Sequence, residues 1–415
     1  MNITYLKTRF KGYSQPPVML KLGDICKVNQ GLQIPISDRY LEPVPECQFY
    51  ITNEFLKQGS KKRFYIKNPP ASVVCDEKDI LMTRTGNTGQ VVTGVSGAFH
   101  NNFFKINYDN KKYYKNYLVQ YLRSPKIQNN IMKLAGSSTI PDLNHSDFYS
   151  ILIPSIELDE QQKIADFLSS VDTKISQLTE KHRLLKGYKK GVMQQIFSQQ
   201  IRFKNDDGND FTDWEEKSLG SLFDWIRTNN LSREKLSENV TALQNIHYGD
   251  IHTKYHSQFV QIRENIPYVV DAEIGKLVSQ ADFCKNGDIV IADASEDYAD
   301  IGKAIEIISV KEGTLVAGLH TYIARPKNKF ASGYLGYLFQ FNGTRKQVQK
   351  LAQGVSVLGI SKGNIETIKL SVPHIDEQKK IAQFLQSLDK KIDAVNDQIE
   401  QTKLFKKGLL QQMFV

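Results

Sequence analysis

The chain contains one stretch twice. Asp159-Glu160-Gln161-Gln162-Lys163-Ile164-Ala165-Asp166-Phe167-Leu168 returns as Asp376-Glu377-Gln378-Lys379-Lys380-Ile381-Ala382-Gln383-Phe384-Leu385. Farther on, Lys189-Lys190-Gly191-Val192-Met193-Gln194-Gln195-Ile196-Phe197 returns as Lys406-Lys407-Gly408-Leu409-Leu410-Gln411-Gln412-Met413-Phe414. The offset is the same at both ends (381 − 164 and 408 − 191 both give 217), so the copies differ by no insertion. A repeat this long and gap-free is a duplication, and it constrains the fold more than any other feature.

Both copies predict one long helix. Ile164, Leu168, Val171, Ile175, Leu178 and Leu185 in the first, and Ile381, Leu385, Leu388, Ile392, Val395 and Ile399 in the second, recur with a 3.5-residue period. Charged and polar residues fill the spaces, which is the pattern of a coiled-coil seam. His182, Lys189, Val192 and Ile196 extend the first series; Thr402, Lys406, Leu409 and Met413 extend the second. Neither copy contains proline, and each starts with Asp-Glu, which suits the positive end of the helix dipole. At 1.5 Å per residue each rod would be about 58 Å long. Two amphipathic helices buried in separate globular cores are the alternative; equal length and strict heptads favour two rods packed antiparallel on each other.

The plan outside the rods also repeats. Arg202-Phe203-Lys204 echoes Arg9-Phe10-Lys11, Gly287–Ile291 echoes Lys78–Met82, and Gly333–Leu338 echoes the helical Tyr117–Leu122. Between about Leu20 and Pro154, short β-prone runs at Phe64–Ile66, Ser72–Cys75, Asp79–Met82, Gln90–Val92 and Phe103–Ile106 alternate with Gly, Asn and Pro, followed by helices at Lys115–Leu122 and Lys126–Leu134. The expected fold is α+β: two mixed α/β domains rich in strands, joined by two long antiparallel helices, with a pseudo-two-fold internal repeat. Expected boundaries are 1–154 for the first globular domain, 155–200 for the first rod, 201–373 for the second domain and 374–415 for the second rod.

At 415 residues the chain is long enough for two or three domains, each with its own core. The formal charge of +9 is a mild basic excess that suits a polyanionic partner. Residues 1–7 lack the apolar core of a signal peptide, and no run approaches the roughly 18 apolar residues of a membrane span. Cys26, Cys47, Cys75 and Cys284 lie far apart without a Cys-x-x-Cys pair, which argues against zinc and disulfides and fits a reducing cytoplasm.

Catalytic patterns are weak. Asn68-Pro69-Pro70-Ala71 lacks the aromatic residue that an amino-methyltransferase tetrapeptide carries, and reads as a proline turn. The glycine-rich Thr83–Gly89 has no Gly-Lys-Ser/Thr and is no P-loop, and Glu215-Glu216-Lys217 has no strand-borne Asp suitably upstream for a nuclease. His252 and His256 are the one i,i+4 histidine pair, in an expected loop, so no metal site is expected.

Polyanion binding fits better. Candidate DNA-binding residues are Lys61, Lys62, Arg63, Arg84, Asn101, Asn102, Lys111, Lys112 and Tyr114 in the first globular part, and Arg227, Arg233, Tyr248, Lys254, Tyr255, His320 and Lys346 in the second. Lys and Arg neutralise phosphates, whereas Asn, Gln and Arg beside them can make bidentate bonds to base edges. For any single basic residue, a solvated or structural role is the plain alternative.

The doubled Asp-Glu-Gln-x-x-Ile-Ala-x-Phe-Leu block, each copy following Ile153-Pro154 or Val372-Pro373, resembles the conserved helical regions of the specificity subunits of Type I restriction–modification systems. The Lys-Lys-Gly…Gln-Gln…Phe ending does too, and the likeness covers essentially the whole chain. The resemblance implies two target-recognition domains that each read half of a split double-stranded DNA sequence. It also implies a coiled coil that sets their spacing and docks two modification subunits. Those partners would hold S-adenosylmethionine and methylate adenine N6; ATP- and Mg-dependent restriction subunits would join, and this chain would hold no cofactor and make no bonds. One departure stands out: the first repeat has no tryptophan where the second has Trp214. Two rivals remain, a coiled-coil scaffold whose globular parts bind proteins, and a self-sufficient enzyme, which would need the missing cofactor motifs.

Overall fold

The structure is a computed structural model that describes residues 9–57, 59–136, 139–274 and 283–414. The chain forms two compact units, Met1–Glu180 with Asn396–Val415, and Lys181–Val395. The far C-terminus thus belongs with the first globular part, and the end of the first rod with the second.

In the first unit, Cys26–Gln30, Phe103–Tyr108, Ile80–Thr83 and Val91–Thr93 form an antiparallel sheet in that order. Ile80 and Met82 face one core and Leu81 another, so this central strand is buried on both sides. That explains an uninterrupted apolar run where a half-exposed strand would alternate. A second sheet runs Tyr65–Lys67, Cys47–Ile51, Gly97–Phe99, Val74–Cys75, with one parallel pair, Cys47–Ile51 beside Gly97–Phe99. Gly97 (φ +144°) passes so close to this neighbour that a Cβ would stand 2.3 Å from the Phe49 carbonyl oxygen. Helices Lys115–Leu122 and Pro125–Leu134 pack Tyr117, Tyr121, Ile127 and Ile131 onto the first sheet's core.

The second unit repeats the plan with more strands. Its larger sheet orders Phe223–Ile226, Thr321–Pro326, Ile289–Ala292, Ala304–Ser309 and Gln258–Val260; the smaller orders Leu236–Ser237, Tyr268–Val269, Gln244–Ile246 and Leu315–Ala317. Each globule is closed by a two-stranded ribbon, Val18–Lys21 with Leu152–Ser155 and Glu215–Ser218 with Lys369–Val372. The Glu215–Lys217 motif is therefore an edge ribbon, its Glu215 and Lys217 paired at 2.6 Å. Asn68 sits in left-handed backbone (φ 46°) and a single 3-10 turn follows at Ala71–Val73, so the Asn68–Ala71 stretch is a turn.

The long helices span Leu158–Phe197 and Ile375–Met413. Of the twelve seam residues, Ile164, Leu168, Val171, Leu178, Ile381, Leu385, Leu388, Ile392, Val395 and Ile399 are buried, and Ile175 and Leu185 half-buried. Within the first unit, Ile164 and Leu168 share a core with Leu410, Met413 and Phe414, and Asp172 takes Lys406 at 2.7 Å. Residue numbers rise along one helix as they fall along the other, so the segments are antiparallel. The second unit does the same with Val192 and Ile196 against Ile381 and Leu385, and with Lys189 paired to Asp389 at 2.5 Å.

The repeat extends to single bonds. Arg9 holds the fully buried Glu160 through Nε at 2.8 Å, and Arg202 holds the fully buried Glu377 through Nη2 at 2.8 Å. Phe10 lies edge-on to Phe167 as Phe203 does to Phe384. The departure at Trp214 has a local effect: its Nε1 donates to Glu377 at 3.0 Å, whereas in the first unit the Tyr13 hydroxyl bonds Asp159 and receives Lys163 at 2.8 Å. Cys26, Cys75 and Cys284 are buried and Cys47 half-buried, all free; burial pushes the Cys26 thiol up to about 12. No helix among the described residues is long and apolar enough to cross a membrane.

Candidate nucleic-acid interface

In the first unit a polar edge forms where the central strand ends. Arg84 donates its backbone N–H to the Asn102 carbonyl at 2.7 Å, which joins the end of Ile80–Thr83 to the bend before Phe103. The Arg84 guanidinium is braced by Asp142 at 2.7 Å and lies over the Phe104 ring. Asn53, which opens the short helix Asn53–Leu56, donates Nδ2 to the Thr85 carbonyl at 3.0 Å. Asn101 donates Nδ2 to Gln33 at 3.0 Å. The Oδ1 atoms of both Asn53 and Asn101 are buried without a partner. Burial, and then the nearby Arg39, hold His100 below the usual imidazole range.

Arg84, Asn101 and Asn102 therefore come together. Arg63 stacks its guanidinium 5.0 Å from Phe55 on the same short helix, and Lys62 covers Phe64, so the Lys61-Lys62-Arg63 run borders this edge. Lys111, Lys112 and Tyr114 lie elsewhere, at the start of the first long helix. There Gln161 accepts from the Tyr114 N–H at 2.9 Å and donates to the Lys112 carbonyl at 2.9 Å.

The second unit has the equivalent edge with different side chains. Asp293 donates its N–H to the His320 carbonyl at 3.0 Å, the same backbone bond that joins Arg84 to Asn102. His320, in left-handed backbone (φ 57°), also sets Nδ1 3.1 Å from the Asp293 carboxylate. Burial pushes the Asp293 carboxyl up, and His320 opposes this. Tyr248 stands among three imidazoles, with ring centroids 4.7 Å from His247, 5.4 Å from His320 and 6.0 Å from His252.

The helix beneath, Tyr248–Thr253, is N-capped by His247, whose Nδ1 accepts from the Gly249 N–H at 3.2 Å. His252 is thus on a helix and not in the expected loop, because His247 supplies the cap. Its Nε2 sits 3.0 Å from the Ala294 carbonyl, and its Nδ1 is buried without a partner. Burial works to raise the Asp250 carboxyl, but Arg233 and Lys254 outweigh it and hold it below the usual range. Tyr255 packs below, its hydroxyl 3.5 Å from Asp250.

Arg233, Tyr248, Lys254, Tyr255 and His320 thus converge on one cluster. Arg227 is exposed next to Thr228, whose hydroxyl donates to the Thr321 carbonyl at 3.0 Å, beside His320. Lys346 is apart, exposed on the helix Asn342–Leu351. Arg325 and Arg345 are structural: Arg325 clasps the buried Asp288 at 2.8 and 2.9 Å, and Arg345 bonds the Ala299 and Ile301 carbonyls. No cluster of metal-ligating residues occurs among the described residues.

Asn53, His100, Asp250 and Asp293 belong to these edges, as do Asn229 and Asn245, Asn229 donating Nδ2 to Asn245 Oδ1 at 2.8 Å and to the Ala317 carbonyl at 2.9 Å; they carry no local sequence signal, since contacts between distant segments bring them together. The framework is common to both units: His100 N–H reaches Ile51 O and Gly318 N–H reaches Ile246 O, each at 2.9 Å. What such edges offer is a set of amide, imidazole, phenol and guanidinium groups fixed by backbone bonds. Those groups can donate to and accept from base edges, with basic residues at the border for phosphates.

The family model for the Type I restriction modification DNA specificity domain matches twice, over residues 18–186 and 212–403. Over 406 residues the chain is 26% identical to the Type I restriction enzyme MjaVIII specificity subunit of Methanocaldococcus jannaschii, covering 94% of this chain and 90% of that one. Its fold is similar to a Type I restriction-modification S subunit from M. genitalium (TM-score 0.55, 16% identity, 99% of each chain). It is also similar to a chain solved in work on complex assembly and conformational transition of the type I R-M system (TM-score 0.57, 16% identity, 97% of this chain and 98% of that one). One domain model matches twice, each time over one globule and most of its following helix, and together the matches span most of the sequence: the chain belongs to the Type I restriction–modification DNA specificity family.

Proposed function

We propose that the chain, as the DNA specificity subunit of a Type I restriction–modification complex, reads an asymmetric two-part site, one half with each globular unit. The observation that carries this is the pair of equivalent edges with unlike side chains. Arg84 and Asn102 occupy in one unit the places that Asp293 and His320 occupy in the other. A homodimer presents two identical readers and needs a palindrome; two different edges on one chain suit two different half-sites.

In the first unit Asn101, Asn102 and Arg84 face the bases while Lys61, Lys62 and Arg63 hold phosphates. In the second, Tyr248 and His320 face the bases while Arg227, Arg233 and Lys254 hold phosphates. Each half-site is read weakly, and engagement of the second unit is intramolecular, so affinity and selectivity multiply. Half-sites one helical turn apart, about 34–36 Å, present the same groove to both readers. The long helices, each roughly 58–60 Å by rise per residue, are long enough to set that gap.

The chain itself is non-catalytic. Two modification subunits dock on the helices and methylate adenine at N6, with S-adenosylmethionine bound in those partners, after the base is flipped from the stack. ATP-driven restriction subunits complete the assembly, in the cytoplasm with the DNA.

The test is to map methylated adenines in cells carrying the chain with its modification subunit, then repeat with Asn102→Ala and His320→Ala. The expected result is one bipartite motif, with Asn102→Ala relaxing one half and His320→Ala the other. Loss of discrimination at both halves from either variant, or at neither from both, rejects the assignment of one half-site to each unit.

A further inference from the structure

His320 holds left-handed backbone (φ 57°), which few residues other than glycine adopt. The equivalent Asn102 of the first unit does not share it. Strain of this kind persists where the surrounding structure enforces it, and it clusters at functional sites. Here the turn is enforced from both sides. The His320 carbonyl accepts from the Asp293 N–H at 3.0 Å, and the Thr321 hydroxyl donates to the Gly318 carbonyl.

The ring is held as well as the backbone. His320 Nδ1 lies 3.1 Å from the carboxylate of the half-buried Asp293, while the imidazole itself stays exposed. Asp293 is anchored in turn, because its carbonyl accepts from the Ile360 N–H at 2.9 Å. Burial pushes its carboxyl up, and His320 and Tyr322 work against this by bonding the charged form. An ionised carboxylate only accepts, so the proton of a neutral His320 ring sits on Nδ1 and leaves Nε2 as a bare acceptor. His247, which also packs against Tyr248, is fixed in the opposite sense. Its Nδ1 accepts from the Gly249 N–H at 3.2 Å, so its proton sits on Nε2. Burial holds that second ring below the usual imidazole range and keeps it neutral.

We propose, on the reading that this edge faces the bases, that Asp293 is a positioning residue that fixes His320 as an acceptor for the exocyclic amino group of adenine or cytosine. In the major groove adenine N6 and cytosine N4 donate, whereas guanine O6 and thymine O4 accept from the same places. Replacing an A·T pair by G·C therefore exchanges amino and keto groups in place. A bare Nε2 then meets a keto oxygen, acceptor against acceptor, and that transition is rejected. Selectivity at this position of the second half-site is thus set by a carboxylate that touches no base.

The test uses the full chain in complex with its modification subunits to enrich duplexes randomised across both half-sites. It is run at pH 8, above the ordinary imidazole value of about 6.5. His320→Ala should flatten one position of one half-site, where the wild type prefers its base pair over the transition pair by about tenfold or more. In Asp293→Asn the amide can turn to donate or to accept, so both tautomers of His320 are open. That variant should lose the discrimination between the two transition pairs and still reject the other two. His320→Gln leaves Asp293 in place and carries an amide of its own; it should do the same, and it decides the matter should Asp293→Asn not fold. A folded variant that keeps the wild-type preference, or flattens the position as His320→Ala does, overturns the role of Asp293 and leaves the functional reading standing. His320→Ala with every position unchanged overturns both.

Discussion

At the scale of single residues, the buried carboxylates do the most to fix the globules to the helices. Glu160 and Glu377, each in the first turn of a long helix, are fully buried and each is met by one arginine. Burying a charge is tolerable only with a partner of good geometry, and removing one partner strands the other. Arg202→Ala should therefore cost about 3 kcal/mol or more in the second unit, by denaturant unfolding. Glu306 is a different case. Burial pushes its carboxyl up from 4.5 to about 7, against bonds from the Gly333 and Gly336 N–H groups at 2.6 Å. The folded state holds this proton more tightly than the unfolded one. Its stabilising contribution is therefore fully present below pH 4.5 and is lost as pH rises through 7. Relative to Glu306→Gln, the wild type should lose on the order of 3 kcal/mol between those limits, read as the change in unfolding free energy at pH 4.5 and 7.5. Neither role was legible in the sequence. Asp-Glu at each helix start reads only as acids suited to the helix dipole, and nothing around Glu306 marks it as buried, because burial is set by segments far away in the chain.

At the scale of elements, legibility follows the range of the determining contacts. The long helices are legible because a heptad repeats its information every turn: the rods expected at 155–200 and 374–415 are the helices Leu158–Phe197 and Ile375–Met413. The sheets were not: Ile80–Thr83 announces a strand, but its neighbours Phe103–Tyr108 and Val91–Thr93 are chosen by pairing that no local pattern encodes. The reading edges inherit that difficulty, since Asn53, Thr85 and Asn101 meet only once the sheets exist. Within the seam the polar exceptions act as register marks. Lys406 enters with Asp172, and Lys189 with Asp389, and each aspartate takes a second bond, from Gln120 at 3.0 Å or from Tyr337 at 2.6 Å. A polar residue in an apolar seam specifies alignment at some cost in stability. Asp172→Ala and Asp389→Ala should each lower stability by about 1–3 kcal/mol, the cost of leaving two hydrogen-bonding groups unmatched. Similar losses at the two sites, measured by thermal unfolding, are what the duplication requires.

At the scale of the whole molecule, the ends of the helices are exchanged between repeats. Phe197, which ends the first repeat, packs against Tyr334 of the second globule, and Phe414, which ends the second, packs against Tyr117 and Tyr121 of the first. The first compact unit accordingly includes Asn396–Val415, so its core is not complete until the last residues of the chain are in place. Phe414 is only 2% exposed and belongs to the first unit's core, so removing its ring opens a cavity there. Phe414→Ala should then cost about 3–5 kcal/mol, the usual penalty for deleting a buried phenylalanine ring. The cost falls on one unit. Hydrogen exchange should rise across Phe103–Tyr108 and Lys115–Leu122, whereas Ile289–Ala292 and Thr321–Pro326, whose unit is closed by Phe197, should keep their protection. Phe197→Ala should show the reverse pattern. If either variant loosened both units equally, the duplication would not be two separately closed cores, each sealed by the last turn of a long helix.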